Sequence, residues 1–171
     1  SPGSLAAFCG TLAALLLSKN VPFILTIAVV LLAGVATGFF NAWMVNKIKL
    51  EAFIATLVTQ NIMRGFAYII CDGKPVSISN KAYLTIGWLM ILAFVIFGFI
   101  LAKTKFGRSV YAIGGSQEAA RLAGLNPQKI VTSCFVIIGA LTALGGIVFS
   151  SRMNSGQPAA NINLEFDAIT A

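Results

Sequence analysis

Polar side chains recur along one face of an otherwise apolar stretch between residues 53 and 71. Thr56, Gln60 and Arg64 follow one another at intervals of four residues, which places them on one side of a helix, and Thr59 and Asn61 lie beside them. Hydroxyl, amide and guanidinium groups of this kind can bond the backbone of a neighbouring helix, or a polar solute. Because polar groups are costly in lipid, the stripe is expected to face protein or a water-filled cavity. Interhelical hydrogen bonding, extension of Arg64 toward the outer surface and lining of a solute pathway all remain open.

The sequence lacks the residue combinations that enzymes commonly use for catalysis. The chain has no histidine and five acidic residues, so it offers no nucleophile and base pair, no carboxylate pair and no metal cluster. It also lacks the G-x-x-x-x-G-K-[ST] run that cradles nucleotide phosphates. Cys9, Cys71 and Cys134 lie far apart and are expected to be small buried hydrophobes. We therefore expect no catalytic residue and no metal or cofactor bound by this chain.

The composition indicates that lipid is the solvent for most of the chain. Hydrophobic residues make up 58% of the 171, charged residues 10%, and mean hydropathy is +0.90, whereas about a quarter of the residues in soluble domains are charged. Long apolar runs that cross a bilayer must be helices or closed barrels. The sequence thus predicts an all-α, polytopic transmembrane bundle with five hydrophobic segments: Gly3 to Leu17, Val21 to Val45, Phe53 to Cys71, Tyr83 to Ala102 and Ile130 to Ser150.

Two pairs of small residues occur inside these segments. Gly34 with Gly38, and Gly139 with Ala143, have the four-residue spacing that lets helices approach closely. Packing faces are the expected role for both pairs, with a hinge during transport as the alternative.

The distribution of basic residues predicts the orientation, because Lys and Arg near helix ends are retained on the cytoplasmic side. The formal net charge of +7 is scattered between the apolar runs, so we expect no nucleic-acid partner. Residues 103–129 are expected to form a cytoplasmic loop. The basic residues on that side are then Lys47, Lys49, Lys103, Lys105, Arg108, Arg121 and Lys129, against Lys19, Lys74, Lys81 and Arg152 outside, with Arg64 in the membrane.

The cytoplasmic loop is expected to contain a short helix that carries its own start and stop residues. Ser116 can act as its N-cap, Gln117 and Glu118 suit the positive end of the helix dipole, and Gly124 can end it before Pro127. A helix of barely two turns does not persist alone in water. It is therefore expected to pack against the membrane domain or a cytoplasmic partner.

At this point the residues resemble a known family. Glu118-Ala119-Ala120-x-x-x-Gly124 looks like the loop by which permeases of ATP-binding-cassette (ABC) importers dock onto their ATPase subunits. The preceding stretch, Lys105 to Gly115, is similar to the ribose/xylose/galactoside type of permease, within the branched-chain amino acid and sugar permeases. Further similar stretches are Phe53-Ile54-Ala55-Thr56-Leu57, Arg64-Gly65, Asp72-Gly73-Lys74-Pro75 and Ser155-Gly156-Gln157-Pro158 with Phe166-Asp167-Ala168-Ile169.

The resemblance implies a permease subunit that moves a monosaccharide across the bacterial inner membrane. Its partners would be an ATP-binding subunit that carries ATP and Mg²⁺, a second permease copy or paralogue, an extracytoplasmic sugar-binding protein and the lipid bilayer. Residues 1–171 would be part of a permease domain of about twice this length, truncated at both ends. The implied ATPase-coupling residues are Gly115, Glu118, Ala119, Ala120, Arg121, Gly124 and Asn126. For Glu118 and Arg121 the alternative is that they form an exposed, solvated charge pair and contact no partner.

The implied sugar pathway has its candidates in the membrane segments, namely Asn41, Thr56, Gln60, Asn61 and Arg64. Asn41 lies near Phe39, Phe40 and Trp43, a combination that suits a sugar and equally suits an aromatic belt at the membrane surface. On the outer side, Arg152, Glu165 and Asp167 could meet a binding protein or simply be solvated.

Two other functions compete with this one. An ion-gradient-driven secondary transporter or channel would be expected to place a carboxylate in mid-span, and none of the five acids lies there. A membrane scaffold or enzyme anchor would need spans but no capped cytoplasmic helix.

Overall fold

The fold is known from a computed structural model that describes residues 2–78 and 87–160. The predicted start of the fourth apolar segment at Tyr83 lies outside the described residues, as do Lys81 and the two acids Glu165 and Asp167.

Helices dominate the described chain, so the predicted all-α class is confirmed. The elements in chain order are α1 (Pro2–Ser18), α2 (Phe23–Lys47), α3 (Ala52–Ile70), β1 (Val76–Ser77), α4 (Gly87–Lys103), α5 (Lys105–Gly115), α6 (Gln117–Leu122), α7 (Pro127–Met153) and β2 (Ser155–Gly156). The two-residue strands pair antiparallel, with Val76 opposite Gly156 and Ser77 opposite Ser155. Gly156 in turn lies against α1, where a Cβ would come within 2.7 Å of the Ala14 Cβ. This small ribbon fastens the loops that follow α3 and α7 onto the end of α1.

Each of the five predicted apolar segments contains a helix, and within residues 2–78 and 87–160 three or four spans are long and apolar enough to cross a bilayer. By length and composition α2, α3 and α7 can span, and α4 with α5 gives a fourth span if the two count as one helix bent by 69°. The 17-residue α1 is shorter than these spans. A crossing needs about 20 residues at a rise of 1.5 Å each, so α1 is a short apolar segment, as its predicted bounds of Gly3 to Leu17 imply.

The bend between α4 and α5 has a local cause. Thr104 adopts an extended backbone conformation, and its hydroxyl oxygen accepts a hydrogen bond from the Gly107 N–H at 3.4 Å, which starts a new helix. Gly107 lies directly against the backbone of Leu101, where no Cβ could fit. Helix α5 lies in the segment that the sequence predicts to be loop, although its Phe106, Val110 and Ile113 have helical spacing. Val110 and Ile113 of that face lie beside Cys134 and Ile138 of α7.

The centre of the bundle is α7, which packs against both α1 and α2. The helices α2 and α7 run antiparallel, because Gly34 faces Gly139 and Ala143 while Gly38 faces Phe135. Beside the other half of α7, Gly10 of α1 faces Gly146 and Ser150. The predicted packing role of Gly34, Gly38, Gly139 and Ala143 is confirmed, and we call this set of contacts the α2–α7 seam.

Two of the three cysteines are buried as predicted. Cys9 is fully buried and Cys71 is 7% exposed, whereas Cys134 is only partly buried.

Replacing Gly139 with alanine is expected to destabilise the protein. A Cβ there would lie 3.1 Å from the carbonyl carbon of Gly34 and 3.2 Å from the Gly38 Cα, so α2 and α7 would have to separate. Overpacking of this kind costs about 1–3 kcal/mol. Gly145→Ala is the matched control, since it lies on the same helix with nothing within 4 Å of the added atom. Thermal unfolding of the detergent-solubilised protein should show a lower midpoint for Gly139→Ala alone, and equal midpoints would contradict the seam.

Candidate functional site

The short helix α6 in the 103–129 segment has the start that its sequence predicts. The hydroxyl oxygen of Ser116 accepts a hydrogen bond from the Ala119 N–H at 3.2 Å, and Glu118 lies in the first turn. Both features offset the unpaired N–H groups and partial positive charge at a helix start. The caps define where α6 begins without help from another subunit.

The connection from α6 to α7 is equally well defined. Gly124 has φ +82°, its N–H donates to the Arg121 carbonyl at 3.1 Å, and the Leu125 N–H donates to the Ala120 carbonyl at 3.0 Å. This is the pattern of a Schellman motif, in which glycine takes the left-handed position. Asn126 follows immediately as the N-cap of α7 and accepts from the Lys129 N–H at 3.3 Å. Helix α6 is thus joined to α7 with almost no free chain between them.

A concave surface opens beside this junction, which we call the α6 cleft. It holds about 730 Å³ and is lined by Gln117, Glu118, Arg121, Gly124, Leu125, Asn126, Pro127 and Gln128. Glu118, Arg121, Gly124 and Asn126 of the proposed coupling set therefore lie together.

Three other residues of that set do not line the cleft. Ala119 is exposed on α6, while Ala120 is 3% exposed and packs inside the chain. Gly115 ends α5, with open space around it. Ala120 can support the helix but presents no surface to a partner.

One residue of α6 was missed by the sequence analysis. Leu122 is 87% exposed, the highest exposure among the large apolar side chains described. The sequence signal for Leu122 is that it is the one large apolar residue in α6, Gln-Glu-Ala-Ala-Arg-Leu, whose other residues are polar or alanine. A single exposed leucine is common on protein surfaces, and Leu122 is of interest here because it belongs to the same short helix as Glu118 and Arg121, which line the cleft.

Within the membrane segments, the structure brings two predicted polar residues into contact. The Thr59 hydroxyl donates to the Asn41 Oδ1 at 2.5 Å, and the two side chains are 1% and 8% exposed. This bond joins α3 to α2. Thr59 lies beside the stripe rather than in it, and it holds Asn41 in the helix interface.

The remaining members of the stripe have different surroundings. Arg64 donates from Nη1 to the carbonyls of Pro158 at 2.9 Å and Ala160 at 2.6 Å, just beyond β2. Thr56 and Gln60 are partly buried, and Thr56 donates to the carbonyl of Phe53 in its own helix at 2.9 Å. Asn61 is exposed and donates to the Leu57 carbonyl at 3.1 Å. Arg64 therefore makes the kind of hydrogen bond between elements that the sequence left open as one of its roles.

Comparison with known proteins identifies the family. The model of a family described as the permease component of branched-chain amino acid transport systems matches residues 1–171. The chain belongs to this family. It is 39% identical to the ribose import permease protein RbsC of Haemophilus influenzae, over the whole chain and 58% of that protein. It is also 42% identical to the L-arabinose transport system permease protein AraH of Escherichia coli, over 77% of the chain and 43% of that protein.

A third relative, the L-arabinose ABC transporter permease protein AraH of Azospirillum brasilense, is 36% identical over the whole chain and 54% of its own length. The chain thus spans about half the length of these relatives. No solved structure matches it. The family and the apolar helices together make this chain a multi-pass protein of the plasma membrane.

Removing the Asn41–Thr59 bond is expected to loosen α2 from α3. Interhelical bonds of this type contribute about 0.6 kcal/mol on average and at most about 1.7 kcal/mol in double-mutant cycles. We expect Asn41→Ala and Thr59→Val to show a coupling energy in that range in reversible unfolding. Thr56→Val is the control, because its hydroxyl bonds only within α3 as described and should show no coupling to Asn41→Ala. Zero coupling between Asn41 and Thr59 would show that the bond does not contribute.

Proposed function

We propose that this chain forms part of the permease subunit of an ABC importer and couples ATP hydrolysis on a separate subunit to the movement of a monosaccharide. The observation that carries the proposal is α6, a capped helix with an exposed apolar residue and an adjoining polar cleft. Membership of a transport-permease family supports it. The names of the ribose and L-arabinose permeases among the relatives support a monosaccharide as the transported solute.

In this proposal the 103–129 segment is cytoplasmic and α6 is its coupling helix. The ATP-binding subunit would cover Leu122 and the α6 cleft, with Glu118 and Arg121 at the contact. ATP and Mg²⁺ would be held by that subunit, and this chain would perform no catalysis. Gly115 and Ala119 leave room for the partner to approach, and Ala120, Gly124 and Asn126 hold the helix in place.

The junction between α6 and α7 gives the proposal its mechanical route. The Schellman motif and the Asn126 cap leave little slack, so a displacement of α6 would be passed to α7. The α2–α7 seam would then move α2 with it, because the backbones are in direct contact at Gly34 and Gly139. Motion at the cytoplasmic end would reach the membrane segments through packed helices.

The sugar pathway is proposed to run beside α3. Thr56 and Gln60 of the stripe, and Asn61 beside it, are the side chains that would contact sugar hydroxyls. Asn41 would border the path through Thr59, and Arg64 would define its outer end through the turn at Pro158. A second permease copy or paralogue and an extracytoplasmic sugar-binding protein would complete the importer.

Replacing Leu122 with glutamate is expected to release the ATP-binding subunit while leaving the permease folded. Burying a leucine contributes about 1.5–3 kcal/mol, so the complex should weaken by roughly tenfold to a hundredfold. The measurement is the amount of ATP-binding subunit that co-purifies with the permease in detergent. Met153→Glu is the matched control, because Met153 is 48% exposed at the opposite end of α7. Unchanged co-purification with Leu122→Glu would contradict the coupling role.

The orientation can be measured separately with single cysteines in a protein otherwise free of cysteine. Gln117 and Lys74 are both exposed, and they lie on opposite predicted sides of the membrane. A membrane-impermeant maleimide added to intact cells should label Lys74→Cys, and should label Gln117→Cys only after the cells are opened. Labelling of Gln117→Cys in intact cells would place α6 outside and overturn the proposed coupling.

A further inference from the structure

A second groove lies between the end of α2 and the start of α7, apart from the stripe on α3, and it shares only Gln128 with the described lining of the α6 cleft. It holds about 510 Å³, and its walls include Phe39, Trp43, Lys47, Lys129, Thr132 and Ser133. Nothing in the proposed coupling mechanism uses it. We call it the α2–α7 groove and ask which ligand its chemistry fits.

The groove is polar at one end and apolar at the other. Lys47 and Lys129 are both exposed at the polar end, and among the described residues that line the groove none is acidic. The Thr132 and Ser133 hydroxyls already donate to the carbonyls of Gln128 at 2.8 Å and Lys129 at 3.0 Å. The ammonium groups of the two lysines are therefore the donors best placed for an incoming anion.

The apolar end continues onto a surface that lipid can cover. Phe39 is 58% exposed and Trp43 is 44% exposed, and Trp43 stacks on Phe40 with ring centroids 6.2 Å apart. Aromatic side chains near the ends of membrane helices are typical of the boundary between headgroups and acyl chains. Phe39 lies two turns before Lys47 on α2, so the groove passes from an apolar wall to a cationic rim over about 12 Å.

The walls of the groove are held in a defined arrangement. The Asn46 Nδ2 donates to the Thr132 Oγ1 at 2.8 Å and lies 3.1 Å from the Gln128 carbonyl oxygen, which ties the last turn of α2 to the first turn of α7. The Asn126 cap fixes where α7 begins. The two lysines thus extend from helix ends that are bonded to each other, and the groove exists without a ligand.

We propose that the α2–α7 groove is a binding site for an anionic phospholipid of the cytoplasmic leaflet. The phosphate would lie between Lys47 and Lys129, and one acyl chain would follow Phe39 and Trp43. The inference rests on the proposed orientation, which places these helix ends on the cytoplasmic side. It adds a ligand that neither the family description nor the names of the relatives mention.

Native mass spectrometry of the full-length protein, delipidated and then supplied with phosphatidylglycerol or phosphatidylcholine, tests the inference. The protein should retain phosphatidylglycerol preferentially, and excess inorganic phosphate should not displace it. Each lysine near an anionic lipid surface contributes on the order of fivefold in affinity. Lys47→Gln with Lys129→Gln should therefore reduce retention of phosphatidylglycerol by at least about tenfold. Lys19→Gln, an exposed lysine at the other membrane surface, should leave it unchanged.

Three outcomes would overturn the inference. They are equal retention of the two lipids, unchanged retention in the double variant, and displacement by inorganic phosphate, which would indicate a site for a free anion. If the double variant with unchanged lipid retention also lost the ATP-binding subunit, the groove would be a protein contact. Co-purification with Leu122→Glu and the maleimide labelling test the proposed function independently of lipid retention.

Discussion

Close contact between the backbones of α2 and α7 is the constraint on which the other features depend. Lipid tails are as apolar as leucine side chains, so helices in a bilayer gain little from burying apolar surface against each other. What remains is van der Waals packing, and Gly34, Gly38 and Gly139 allow it by leaving no side chain between the helices. Large apolar side chains such as Ile24 and Phe94, each 81% exposed, are consistent with lipid as the surrounding solvent. In water they would be a liability.

Hydrogen bonds between helices then fix the register that close packing permits. The Thr59 to Asn41 bond joins α3 to α2, and the Asn46 to Thr132 bond joins α2 to α7 near the opposite end of the seam from Gly34. Arg64 performs a similar task toward the turn at Pro158 and Ala160. The polar residues of the membrane segments are thus mostly occupied by the bundle itself, and a pathway for solute would have to be built around those bonds.

The two functional surfaces proposed for the cytoplasmic end use the same helix differently. The α6 cleft precedes the first turn of α7, and the α2–α7 groove lies along that turn, with Gln128 contributing to both. In the proposals, the first would join a partner to the start of α7, and the second would anchor the same turn in the lipid surface. If α6 passes its displacement to α7, a lipid bound beside the first turn of α7 would hold that turn at a constant depth in the membrane. The α6 cleft and the α2–α7 groove would then act on the same part of α7.

Much of this protein follows from the sequence by itself. Apolar run length locates the helices, because the backbone in lipid has almost no other way to satisfy its hydrogen bonds. Capping chemistry is local, so Ser116 and Gly124 place the ends of α6 within one residue. Family membership likewise follows from ordered local motifs that need no tertiary structure.

Other properties are decided only when the helices come together. A regular stripe such as Thr56, Gln60 and Arg64 shares a face in any isolated helix, yet one member bonds its own helix and another a distant turn. The break that separates α5 from α4 depends on Gly107 meeting Leu101. Leu122 is exposed and Ala120 is buried because of how α6 rests on its neighbours. Periodicity gives each residue a direction from its own helix axis, and only packing decides what lies in that direction.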